Sequence, residues 1–75
     1  MSKNSQIARL ITEAVVLERM ADSISVGALR YHGKTTARDE QVLWRMARDH
    51  RVRALLARGK AAALYGREIG VDAPE

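Results

Sequence analysis

The chain contains no cysteine and no phenylalanine, only one proline, and only two histidines. Without cysteine, disulfide staples and thiol chemistry are excluded, and the composition fits a reducing compartment. His32 and His50 make a poor ligand set, so neither a metal nor another cofactor is expected. Aromatic residues are limited to Tyr31, Trp44 and Tyr65. No apolar run is long enough to span a bilayer. The opening residues Met1 to Ser5 lead into an amphipathic segment interrupted by Arg9, Glu13, Glu18 and Arg19, which does not read as a secretory signal. These absences predict a cytoplasmic protein with no membrane partner. Enzyme signatures are lacking as well. Gly33-Lys34-Thr35 echoes the end of a phosphate-binding loop, but the upstream glycines and the preceding strand are missing. No nucleophile–histidine–acid set stands out, and the reading is of a protein that is not an enzyme.

What is present is apolar content of 47 % and a net charge of +4, with a pI near 10.1. The first argues against disorder. The second favours acidic partners: nucleic acid, an anionic membrane surface or an acidic protein face. The 75 residues read as one domain, 1–75, too small to enclose much core unless it self-associates.

Two long helices organise the chain. Ile7, Leu10, Ala14, Leu17, Ala21, Ile24, Ala28 and Tyr31 recur at steps of three and four, which predicts a helix over about 5–32. Ser23 to Gly27 has poor helix formers and alternates like a strand, so an extended segment from Ile24 to Tyr31 is the alternative; the unbroken heptad register favours helix. Gly33 suits a left-handed C-cap, and 33–35 form a short turn. Thr36 with Asp39 resembles a capping box and opens a second helix over about 36–69, followed by a tail at 70–75. Its stripe is Leu43, Ala47, His50, Ala54, Ala57, Ala61 and Leu64. So short a link makes the helices antiparallel neighbours. The predicted fold is all-α, a two-helix hairpin with these stripes face to face.

The second helix carries a further apolar face: Val52, Leu55, Leu56, Gly59 and Ala63. A helix that packs on one side only should be polar on the other. Two apolar sides imply two neighbours, and a second copy of the chain is the simplest one. The hairpin is therefore expected to dimerise into a four-helix assembly through Val52, Leu55, Leu56 and Ala63, with Met20 and Val16 of the first helix as further contacts.

Between Arg45 and Lys60 the second helix holds Arg45, Arg48, Arg51, Arg53, Arg58 and Lys60 against one acid, Asp49. By helical angle these cations ring the helix instead of forming one stripe. The plain reading is that they pair with Glu13, Glu18 and Asp22 or meet solvent. The functional reading is a mixed surface for an acidic partner groove. Trp44, Arg45, Arg48, Arg51 and Arg58, with Tyr31, His32 and Lys34 at the hairpin tip, are the candidate partner-binding residues, since Trp and Arg are enriched in binding hot spots. His50 reads as a hydrogen-bonded histidine in the seam.

In size, basicity and helical plan the chain resembles the small early proteins that phages of Gram-negative bacteria direct at host factors. It is similar to the helical anti-activators of Mu-like phages that bind quorum-sensing regulators and the pilus motor. That resemblance implies a viral protein that inhibits or modulates a host protein such as a transcriptional regulator. It rests on no motif and transfers no functional residues. The hairpin layout and length also resemble the plasmid copy-number regulator Rop, which implies the alternative: a nucleic-acid-binding regulator using the basic second helix, with affinity falling steeply in salt. A third possibility is a coiled coil that serves self-assembly alone.

Overall fold

A computed structural model describes residues 3–68. Helix α1 spans Lys3–Arg30 and helix α2 spans Ala37–Glu68. They pack against each other as an all-α antiparallel hairpin. The expected end of α2 at Ile69 and the tail at 70–75 lie outside the described residues.

The doubtful segment after Ser23 is helical through Arg30. The Ser25 hydroxyl donates to the Ala21 carbonyl at 2.9 Å, one turn back. Ala21 and Ala28 are both fully buried, so packing on either side of Gly27 holds the poor helix formers in register. The first helix stops slightly earlier than expected. Tyr31 leaves the stripe and is 54 % exposed, which corrects its expected place against the second helix. The chain then closes a turn in which the Lys34 amide donates to the Tyr31 carbonyl at 2.9 Å. Gly33 sits in that turn with φ at 79°, a left-handed conformation that L side chains rarely adopt. The Thr36 hydroxyl accepts from the Asp39 amide at 3.1 Å, the expected N-cap. The Asp39 carboxylate takes the Thr35 hydroxyl at 3.5 Å.

The core is a seam of alanines. Ala14, Ala21, Ala28, Ala47, Ala54, Ala57 and Ala61 are buried, and Leu17 is the one larger side chain among them. Ile7, Leu10, Ile24, Leu43, His50 and Leu64 of the two stripes are half-buried around it. Small side chains let the two helices approach closely along their whole length. The cost is a thin apolar layer, since a buried methyl contributes only about 0.8 kcal/mol. Larger apolar groups lie outside: Leu29, Leu55 and Leu56 are each at least 60 % exposed.

Candidate functional site

The six cations of the basic stretch from Arg45 to Lys60 separate into three groups. The first is spent within the hairpin. Arg58 donates through Nε and Nη2 to the two carboxylate oxygens of Glu18, both at 2.7 Å, in a fork-to-fork pair. The Arg58 hydrogen bonds hold the Glu18 carboxyl below the usual glutamate range, against some desolvation, and Arg58 in turn is pushed up. Two turns earlier, Arg51 Nη2 reaches the Ser25 hydroxyl at 3.0 Å and Asp22 at 3.4 Å. Arg51 and Arg58 are seven residues apart, so they share one flank of α2 and fasten it to one flank of α1.

The second group occupies the opposite flank. Arg53 and Lys60, again seven apart, line a shallow recess with Leu10, Glu13, Leu56 and Ala57.

The third group lies at the N-terminal half of α2, turned away from α1. Arg45 and Arg48 line a recess with Gln41 and Trp44. Trp44 is 37 % exposed. Its indole Nε1 donates to Glu40 at 3.4 Å, which fixes one edge of the ring. Glu40 also receives His32 Nδ1 at 2.7 Å, so this carboxylate links the hairpin tip to the tryptophan. The His32 hydrogen bond, with a smaller contribution from Trp44, lowers the Glu40 pKa. Arg48 lies 3.8 Å from its chain neighbour Asp49, with both side chains exposed.

The structure thus brings Trp44, Arg45 and Arg48 together at one surface and commits Arg51 and Arg58 elsewhere. Tyr31, His32 and Lys34 are exposed at the tip, with His32 held by Glu40. Val52, Leu55, Leu56 and Ala63 are all exposed on the outer side of α2. Val16 and Met20 are also exposed, but they line a separate recess on α1 with Arg19, Ser23 and Ile24. Glu40 was not singled out from the sequence, although its spacing of four from Trp44 is a readable signal. His50 donates through Nδ1 to the Met46 carbonyl at 2.7 Å, as expected of a seam histidine.

Among the described residues no cluster of side chains suits a metal ion, and no helix is long and apolar enough to cross a membrane. The chain matches no protein-family model, no curated protein and no solved structure.

Proposed function

We propose that this chain is a non-enzymatic binding protein that works as a homodimer and inhibits or modulates a protein partner by covering its working surface. The observation that carries the reading is the surface of Trp44, Arg45 and Arg48: a tryptophan pinned at one edge beside two arginines that take no part in fastening the hairpin. A planar aromatic with flanking guanidinium groups suits a protein surface of acidic or mixed character. The likeness in plan to phage anti-activators makes a host regulator the kind of target, in the cytoplasm. Self-association supplies what an alanine seam lacks, a second layer over the exposed leucines.

The competing reading, a Rop-like grip on nucleic acid, needs cations gathered along one phosphate-tracking face. Two of the six in the basic stretch are held by α1 acids, and the other four divide between two sides of α2. That division favours a protein target.

The test is capture of partners from host lysate by the tagged protein, with and without nuclease, at low and high salt, in parallel with a Trp44→Ala/Arg48→Ala variant. A discrete protein that survives nuclease and is lost with the variant is the expected result. Recovery abolished by nuclease and by salt sinks the protein-directed reading in favour of nucleic acid. Recovery of nothing specific leaves self-assembly as the better account.

A further inference from the structure

We infer that the second copy seats on the outer face of α2, antiparallel to the first, with the two helices crossing at Gly59. This rests on the reading that the chain self-associates, and it adds the face, the direction and the register.

The face is self-complementary in size. Val52, Leu55 and Leu56 occupy its N-terminal half and are 47 %, 67 % and 60 % exposed. Ala62 and Ala63 occupy its C-terminal half and are exposed too. Gly59 lies between the halves. A two-fold axis through Gly59 sets residues opposite one another when they lie about equally far from it on opposite sides. The axis keeps each flank of the helix on its own side, so Leu55 of one copy meets Ala62 of the other, and Leu56 meets Ala63. Each large side chain finds a small one, in both directions, as an isologous contact requires. Parallel helices would stack leucine on leucine and leave the alanine half unfilled.

Gly59 supplies a separate argument. A glycine in a helix interior is destabilising relative to alanine. Nothing in the hairpin calls for it, because a Cβ at Gly59 would meet no atom within 4 Å. At the centre of this face a missing side chain lets a second backbone come close.

The arginines at the N-terminal half of α2 favour the same direction. Arg48 is eleven residues from Gly59, so the antiparallel pair separates the two Arg48 side chains by about 33 Å, well beyond a Debye length. A parallel pair would place Arg45 beside Arg45 and Arg48 beside Arg48.

The exposed area is sufficient for a copy of the chain as the occupant. A compact protein of 8.3 kDa exposes about 4,600 Å². This chain exposes 5843 Å², an excess of about 1,200 Å², where each partner in a stable interface buries about 800 Å². A second copy is the partner present wherever the chain is made.

The native chain has no cysteine, so introduced thiols report without background. Leu55→Cys and Ala62→Cys are prepared separately, and sedimentation gives the assembly state of each and of the native chain. Under mild oxidation the equimolar mixture should form the mixed disulfide at least tenfold faster than either variant links to itself, because positions 55 and 55 lie about 12 Å apart along the seam. Self-linking of Leu55→Cys as fast as the mixture makes the helices parallel and overturns the inference while dimerisation stands. A dimeric mixture with no linkage moves the interface to another face, with the same consequence. A native chain that is monomeric at all concentrations removes the self-association reading itself. Gly59→Ala gives an independent readout should the leucine variant fail to pair. Its dimer dissociation constant should rise at least tenfold, and an unchanged or smaller constant overturns the close approach at Gly59.

Discussion

Arg58 holds both oxygens of Glu18 at 2.7 Å, forty residues away in the chain, and this pair fastens α2 to α1 on one flank of the alanine seam. It makes hairpin stability dependent on acid. The hydrogen bonds from Arg58 lower the Glu18 pKa, so the folded carboxylate keeps its charge to lower pH than the unfolded one. Its stabilisation is fully present above the unfolded glutamate value of about 4.3 and disappears as pH falls through the lowered folded value. Thermal melts followed by circular dichroism from pH 7 down to pH 2 should show this limb. Glu18→Gln should melt lower at pH 7 and lose less on acidification. An identical acid limb in the variant would mean that the fork contributes nothing to the linkage.

The division of the arginines predicts a separation of phenotypes. Arg45→Ala/Arg48→Ala should leave the melting temperature of the hairpin within about a degree, as expected for surface changes away from structural contacts. Partner affinity should fall at least tenfold. Arg58→Ala should do the reverse, lowering the melting temperature while partner affinity changes less than about threefold. Calorimetry and a binding titration on the same preparations decide the matter, and a swap of the two outcomes would move the partner surface to the flank.

The seam should tolerate no enlargement. Ala54 is 1 % exposed and packs among Ala14, Leu17 and Ala57. Ala54→Leu adds methylenes within this buried cluster and should cost about 1–3 kcal/mol from overpacking, read as a lower urea midpoint. Ala62→Leu, on exposed surface, provides the contrasting case for the hairpin itself and should leave intramolecular stability unchanged in a monomeric background.

Truncation of Leu55 and Leu56 together to alanine should release monomers without unfolding the helices at high concentration. Sedimentation measures the first and far-ultraviolet circular dichroism the second. A variant that remains fully dimeric would remove the outer face of α2 from the interface.

Two glycines of the hairpin should respond with opposite sign. Gly27 is helical, and a Cβ there meets nothing within 4 Å, so Gly27→Ala should stabilise by about 0.5–1 kcal/mol. Gly33 has open space as well, but its φ of 79° strains any L side chain, and Gly33→Ala should destabilise by about 1 kcal/mol or more. Denaturant midpoints of the two single variants settle the signs.

Much of the hairpin was readable without coordinates. Heptad spacing in α1 and α2 follows from the period of the helix, which is local. Thr36 as N-cap and Gly33 in the link are also local, because each satisfies the backbone within a few residues of itself. The run from Ser23 to Gly27 was ambiguous by propensity, and register decided it, since Ala21 and Ala28 require the same face on both sides of it.

Only the tertiary structure decided which charges are free. On a helical wheel Arg51 and Arg58 look as available as Arg45 and Arg48. Their acids, Asp22 and Glu18, belong to another helix, and the stagger between two antiparallel helices is not written in the period of either one. Tyr31 likewise continued the stripe on paper, yet it stands at the very end of the helix, its amide still bonded to the Gly27 carbonyl at 3.0 Å, and its side chain is exposed to solvent. Periodicity along one chain determined what each helix shows its neighbour. The meeting of the two helices determined which side chains were left over to bind something else, because side chains that pair across the seam depend on a rotation and a shift that no single segment carries.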